Sequence, residues 1–357
     1  MPPEWKERRR TPVQHESGAV ALVTALCLTI FMALLALVLD IGHLLNVRGE
    51  LQNAADASAL AGAQAFLPAD SSAIVAAFDP NCSAAISTAS QFGNVVDSQT
   101  LTTPSGDISI GHWGWPGDKD IYALNEFVPL GSCETMEVNA IRVFARRDRS
   151  VNGPVATWFA AVLGIGLVDV TSRPAVAALG YLKSADAGRI FPIAVRKSWL
   201  ASLGNPPVGE ANFTPDTKDN SGWCSPPNFN PSAAQLKSWI TNGYPESLTF
   251  GNTVDLNNGQ VNSAVQDLAS ELPKHSQVVE GTGYTGWLVV VPVVNKDQMV
   301  GSTPVVAWQT AVIRKANPKG SPKSISVAFI NKPVLVRGGS PGGPRSTVYA
   351  ASPILVQ

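Results

Sequence analysis

The chain has 357 residues, a formal net charge of −1, 15% charged residues, and 30 Gly with 27 Pro. A nearly neutral chain carries no electrostatic footprint for nucleic acid, and sparse charge with abundant Gly and Pro suits an exported, loop-rich, strand-containing protein better than a helical cytosolic enzyme. The length leaves roughly 290 residues beyond an N-terminal anchor and stalk, enough for one large or two modest domains with a real core.

Ser17 to Leu39 is an unbroken uncharged stretch that runs directly into an Ala-rich helical pattern, Asp40 to Phe66. At about 1.5 Å of rise per residue the stretch crosses a bilayer core of roughly 30 Å as a helix. Its polar exceptions, Thr24 and Thr29, are able to bond back to their own helix. A cleavable signal peptide is the competing reading, because Lys6, Arg8, Arg9 and Arg10 form a basic leader. Signal h-regions run about 7–15 residues with a small-residue cleavage site just beyond, and here the nearest Ala-x-Ala, Ala59-Leu60-Ala61, lies far downstream in a helical pattern. The stretch therefore reads as an uncleaved anchor. Four basic residues before it against the single Arg48 after it place the N-terminus in the cytoplasm and the bulk of the chain outside. Asp40, at the outer edge, either pairs with a partner in the membrane or stands as a hydrated acid at the membrane exit; the second reading is favoured.

In the stalk, Leu44, Val47, Leu51, Ala55, Ser58, Gly62 and Ala65 recur at spacings of three and four, which puts them on one helical face. The small residues of this seam would let a second helix approach closely. The same face is equally suited to packing on the chain's own globular part. Pro68 and Asp70-Ser71-Ser72 are expected to end the helix.

Beyond it, Ala84 to Gln91 has helical composition, and Ile108 to Trp115 and Val138 to Ala145 read as strands. Val155, Trp158, Phe159, Val162 and Leu163 give the spacing of an amphipathic helix closed by Gly164. Val168 to Thr171 and Ala175 to Leu182 return to strand character. Gly204 to Asn230 is polar and loop-like; a helix follows with Asn230 as N-cap, Pro231 at its first position, Leu236, Trp239 and Ile240 inward, and Gly243 as the stop. A second helix covers Val261 to Leu272, with Val261, Val265 and Leu268 inward, and is ended by Pro273. Gly286 to Val294, Val305 to Arg314 and Ile325 to Ile330 read as strands, and Gly338 to Arg345 as a mobile Gly/Pro-rich tail. The fold class is α+β: a transmembrane helix continuing into a stalk helix, then a mixed exported part rich in strands and loops. The expected boundaries are a cytoplasmic tail 1–16, span 17–39, stalk 40–67, a first exported region 68–183 and a second 184–357.

Cys27 lies in the span, leaving Cys82, Cys133 and Cys224 where disulfides form. Cys82 and Cys133, which flank one region, are the chosen bridge, with Cys224 free or paired between molecules. No Cys/His pair has the ligand spacing of a zinc site.

Glu16-Ser17-Gly18-Ala19-Val20, Leu39-Asp40-Ile41-Gly42 and the string Leu51 to Ala63 (LQNAADASALAGA) resemble the N-terminal segment of the TadG-like pilus-assembly proteins of the tight-adherence, or Flp pilus, system. Val138 to Val143, Trp158 to Gly164 and Val168-Asp169-Val170 look like that family's exported domain, where strand, helix and strand recur in this order. The resemblance implies a bitopic envelope protein serving pilus assembly or anchoring as a non-catalytic scaffold, without a cofactor. Its partners would be other Tad/Flp assembly proteins and the lipid bilayer; the seam, read from its spacing and not from the resemblance, would give a helix-mediated oligomer if it faces a second copy rather than the chain's own globular part. Many family members also carry a von Willebrand A-type domain with a metal-binding Asp-x-Ser-x-Ser; here Asp56-Ala57-Ser58-Ala59-Leu60 lacks the second Ser and lies in the stalk, so no metal is expected. The alternative function is a membrane-tethered adhesin or ligand-binding module acting alone.

Four further signals are set aside. Gly281 to Gly286 matches G-x-G-x-x-G but precedes the strand-like Trp287 to Val291 rather than a helix, which favours a hairpin bend. A Ser-His-Asp hydrolase would draw on His43, His112 or His275, and Asp107 to Gly111 lacks the first Gly of a nucleophile elbow. A prepilin would carry Glu at the fifth position after its cleavage Gly, where this chain has Val23. Trp113, Trp115, Trp223 and Trp287 are read as core rather than as a binding surface.

Overall fold

A computed structural model describes residues 16–67, 75–77, 81–92, 94–118, 121–131, 137–204, 208–213, 219–257, 262–279, 281–319 and 323–356. It is α+β: one long apolar helix followed by a strand-rich part with a few short helices. Helix α1 runs Glu16–Gln64 without a break. It has no Pro, it is rich in Ala and Leu, and its Gly42 and Gly49 have open space around them, so nothing kinks it where the span gives way to the stalk. A last turn follows, with Ala65 N–H donating to Ala61 O; the expected stop at Pro68 to Ser72 lies outside the described residues.

The chain forms two compact units, Met1–Leu51 with Arg146–Thr171, and Gln52–Ala145 with Ser172–Gln357. In the first, a ladder between Arg146–Arg147 and Val170–Thr171 leads into a second between Val155–Ala156 and Leu167–Val168. The base is tied by Asp148, whose carboxylate accepts from Ser150 Oγ (2.6 Å), from the N–H of Ser150 (2.7 Å) and Val151 (2.8 Å), and from Arg146 (2.8 Å). These bonds, the Ser150 hydroxyl foremost, hold its pKa down to about 2. The tip is a single 3-10 turn, Ala160–Leu163, closed by Gly164 at φ +85°. The expected amphipathic helix from Val155 to Leu163 is therefore not formed. Its apolar face has no core to pack on, and a helix of that length is not stable on propensity alone.

In the second unit, α2 (Cys82–Gln91) starts at Asn81, whose Oδ1 accepts from Ala84 N–H at 2.9 Å. Among the described residues a five-stranded antiparallel sheet runs in the order Ile354–Leu355, Ala175–Ala178, Ala140–Val143, Ile108–Trp113, Phe127–Pro129. A larger eight-stranded sheet is built on Tyr284–Val294 and Gly301–Asn317, which pair over most of their length. Leu288 and Val290 point to one core, with Val334, Val336 and Val348 of a three-stranded sheet. Val289, Val291 and Val293 point to the other, under helices that follow the short α3 (Lys197–Ser202): α4 (Ala233–Asn242) and α5 (Asn262–His275). Burial on both faces is why this strand reads as a continuous apolar run rather than an alternating one.

Several boundaries differ from expectation. The polar segment 204–230 holds two strands, Val208–Phe213 and the fully buried Ser221–Ser225; Ser221 and Ser225 satisfy their hydroxyls on Asn212 O and Phe229 O, so burial costs little. α4 is capped by Ser232, not Asn230, in a reciprocal box with Gln235. Leu236, Trp239 and Ile240 are inward and Gly243 closes it, as predicted. α5 continues past Pro273 to His275 with Val265 and Leu268 buried, while Val261 lies outside the described residues. The Gly/Pro-rich tail is ordered: Gly339–Pro341 pairs with Leu182–Ala185.

Candidate functional site along the first helix

From Val20 to Leu39 every residue of α1 is exposed except the half-buried Ala36. The hydroxyls of Thr24 and Thr29 donate to Val20 O and Ala25 O, each at 2.8 Å, so the segment presents no unpaired polar side chain. By length and composition this helix can cross a membrane.

At the end of the span Asp40 is buried, at 2% exposure. It is not the hydrated acid favoured from the sequence. Its carboxylate accepts the N–H groups of Trp158 (2.8 Å), Phe159 (3.0 Å) and Ala160 (2.5 Å), filling the free donors at the start of the 3-10 turn as an N-cap would. One turn on, His43 stacks on Trp158 with ring centroids 4.8 Å apart. Sequence spacing gave no hint of this clamp, because its halves are 118 residues apart.

The seven seam residues sit as follows. Val47, Leu51, Ala55, Ser58 and Gly62 are buried, and Leu44 and Ala65 are half-buried. Within the second unit the chain's own elements lie on this face. Asn94 donates to Ala54 O and Ser58 Oγ, and Arg173 N–H donates to Gln52 Oε1 at 2.9 Å. A Cβ on Gly62 would stand 2.7 Å from Ile141 Cδ1 and 3.0 Å from both Ala85 O and Ala89 Cβ. Gly62 is therefore required for the close approach of α2 and the strand Ala140–Val143. Asp56, in the string compared with a metal motif, accepts from Gln52 Nε2 at 2.9 Å along the helix.

The histidines have separate duties. In the second unit, His112 points Nδ1 at Glu137 O (2.5 Å) and Nε2 at buried Asp118 (3.1 Å). Both ring nitrogens are occupied, which leaves none to activate a nucleophile. Asp118 also accepts from Tyr181 OH (2.6 Å) and Trp115 N–H (3.1 Å). Burial pushes its carboxyl up, but the bonds from His112, Tyr181 and Trp115 outweigh that and hold its pKa below the usual value. Tyr122, which stacks on His112 and donates to the Glu137 carboxylate, is pushed up to about 12 by burial and that bond. Asn139 locks the same corner by accepting from Trp113 N–H at 2.7 Å. His275 stacks on Trp287 beside a cleft of about 440 Å³.

Trp113, Trp115 and Trp223 are buried and Trp287 half-buried. Gly281 and Gly283, both at φ +71°, make the bend between the antiparallel strands Gln277–Val279 and Tyr284–Val294. Cys82 is disulfide-bonded, Cys133 lies outside the described residues, and Cys27 and Cys224 are free thiols. Cys224 is wholly buried, which removes it from pairing between folded molecules.

An α+β chain carried on one N-terminal helix of this length and apolarity has the make-up of a protein with a single-pass membrane anchor. Residues 18–65 match the model of a family described as "Putative Flp pilus-assembly TadE/G-like". The match covers α1 from Gly18 to its last turn. No curated protein and no solved structure matches the chain.

Proposed function

We propose that this protein is a non-catalytic scaffold of a Tad/Flp-type pilus machine. It is held by one pass in the cytoplasmic membrane, with its N-terminus in the cytoplasm and its C-terminal bulk outside, and it serves pilus assembly or anchoring together with other proteins of that machine. The observation that carries the reading is the pilus-assembly family match over a helix that is exposed and apolar for its first part and packed on the chain's own α2 and strands for its last. The basic tail before the span supports the orientation, and the full occupancy of both His112 nitrogens weighs against a hydrolase.

Deletion of the gene, with surface pili counted by electron microscopy, tests it. Pili are expected to be lost and to return with the intact chain. Normal pili with lost adhesion would instead favour a tethered adhesin, and normal pili with normal adhesion would overturn both.

A further inference from the structure

We propose that the tip from Trp158 to Leu167 enters the headgroup and upper acyl region of the bilayer beside α1, as a second and shallower membrane contact. The proposal rests on the reading of α1 as a membrane span. Trp158, Phe159, Val162, Leu163, Ile165 and Leu167 are 62, 43, 86, 78, 55 and 54% exposed. No charged residue occurs from Val151 to Val168. A continuous apolar surface of this kind marks a contact with something other than water.

The position of the tip identifies that contact as lipid. Val20 to Leu39 fills about 30 Å of hydrocarbon at 1.5 Å per residue, so Asp40 falls at the outer boundary, and the tip is bonded to Asp40 through three backbone N–H groups. Ala36, one turn deeper on the same face, is half-buried among exposed neighbours. Trp158, stacked on His43 at this level, is the residue type that settles at membrane interfaces. Part of the tip's backbone is bonded internally. Thr157 N–H bonds Gly166 O, Val162 N–H bonds Phe159 O, Gly164 N–H bonds Ala161 O and Ile165 N–H bonds Ala160 O, while Asp40 takes the donors at the start of the turn. Internal bonds of this kind lower the cost of lipid contact.

The test uses the full-length chain in nanodiscs of phosphatidylethanolamine and phosphatidylglycerol, in a Cys27→Ser background with buried Cys224 left in place. An NBD label is placed by Leu163→Cys, by Leu28→Cys inside the span, or by Val278→Cys on an exposed strand of the second unit. Lipids carry a nitroxide either near the headgroup or deep in the acyl chain. The label at 163 should be blue-shifted and quenched chiefly by the shallow nitroxide, consistent with a depth of about 5–10 Å. The label at 28 should be quenched chiefly by the deep one, and the label at 278 by neither. Asp40→Ala should abolish the shallow quenching at 163 while leaving that at 28. A label at 163 that behaves like the one at 278, with 28 still quenched, would overturn the proposal and leave the anchor standing. A blue-shifted but unquenched label at 163 would mean that protein covers the tip, and would overturn it equally. Loss of quenching at 28 as well would bring down the anchor reading itself.

Discussion

The two compact units have opposite insides. In the first, many of the exposed side chains are Leu, Val and Ile, with Phe31, Trp158 and Phe159, and a carboxylate, Asp40, is buried among backbone N–H groups. In the second, both faces of the large sheet are covered, and the apolar residues of Tyr284–Val294 are divided between two cores. Residue type alone therefore does not decide burial here. A surface that would be a liability in water is the ordinary surface of a protein in lipid, where each polar group must be satisfied internally. The second unit follows the water rule, and its buried polar groups are costly to disturb.

That contrast breaks most sharply at Asp118. Asp118→Ala leaves His112, Tyr181 OH and Trp115 N–H without their shared acceptor, and should cost the second unit about 3–5 kcal/mol. The measurement is the denaturant midpoint of the full-length protein in detergent, followed by tryptophan fluorescence. The depressed pKa of Asp118 adds a pH signature. Its contribution is full above the unfolded carboxylate value of about 3.9 and is lost as pH falls through the lower folded value. The intact chain should therefore lose stability below about pH 4, and the loss should be shallower in Asp118→Ala. A variant as stable as the parent at pH 7 would show that the cluster does not hold this corner.

Gly62→Leu is next, because even its Cβ falls within 3.0 Å of three neighbours. Overpacking of this kind costs about 1–3 kcal/mol, read as a lower midpoint and as faster limited proteolysis. An unchanged midpoint would mean that α2 and the strand Ala140–Val143 do not lie on this face. The smallest effect belongs to the first unit: Thr24→Val replaces a hydroxyl bonded to its own helix and should leave the midpoint within about 0.5 kcal/mol. A larger loss there would show that the span has a polar partner.

Much of this was legible beforehand. The length and apolarity of Ser17 to Leu39, the three-and-four spacing from Leu44 to Ala65, and the inward trio Leu236, Trp239 and Ile240 are local patterns, and local patterns set helices. The hairpin bend at Gly281 and Gly283 was legible because a strand, not a helix, follows it. The segment Val155 to Leu163 shows the limit. Its spacing fits a helix, but spacing describes a face without saying whether a core exists to receive it. Ser221–Ser225 fails in the opposite sense, since small polar residues read as loop until long-range partners satisfy them.

By itself the sequence determined an α+β chain on one N-terminal helix long and apolar enough for a bilayer, since both follow from composition and period. The tertiary structure alone decided the rest: that Asp40 caps a turn 118 residues away, that Gly62 admits α2 and a strand, and that His112 spends both nitrogens on Glu137 and Asp118. Apart from the His112–Asp118 bond, which spans six residues, these join groups from different parts of the chain, and the contacts between them exist only once the fold has brought them together.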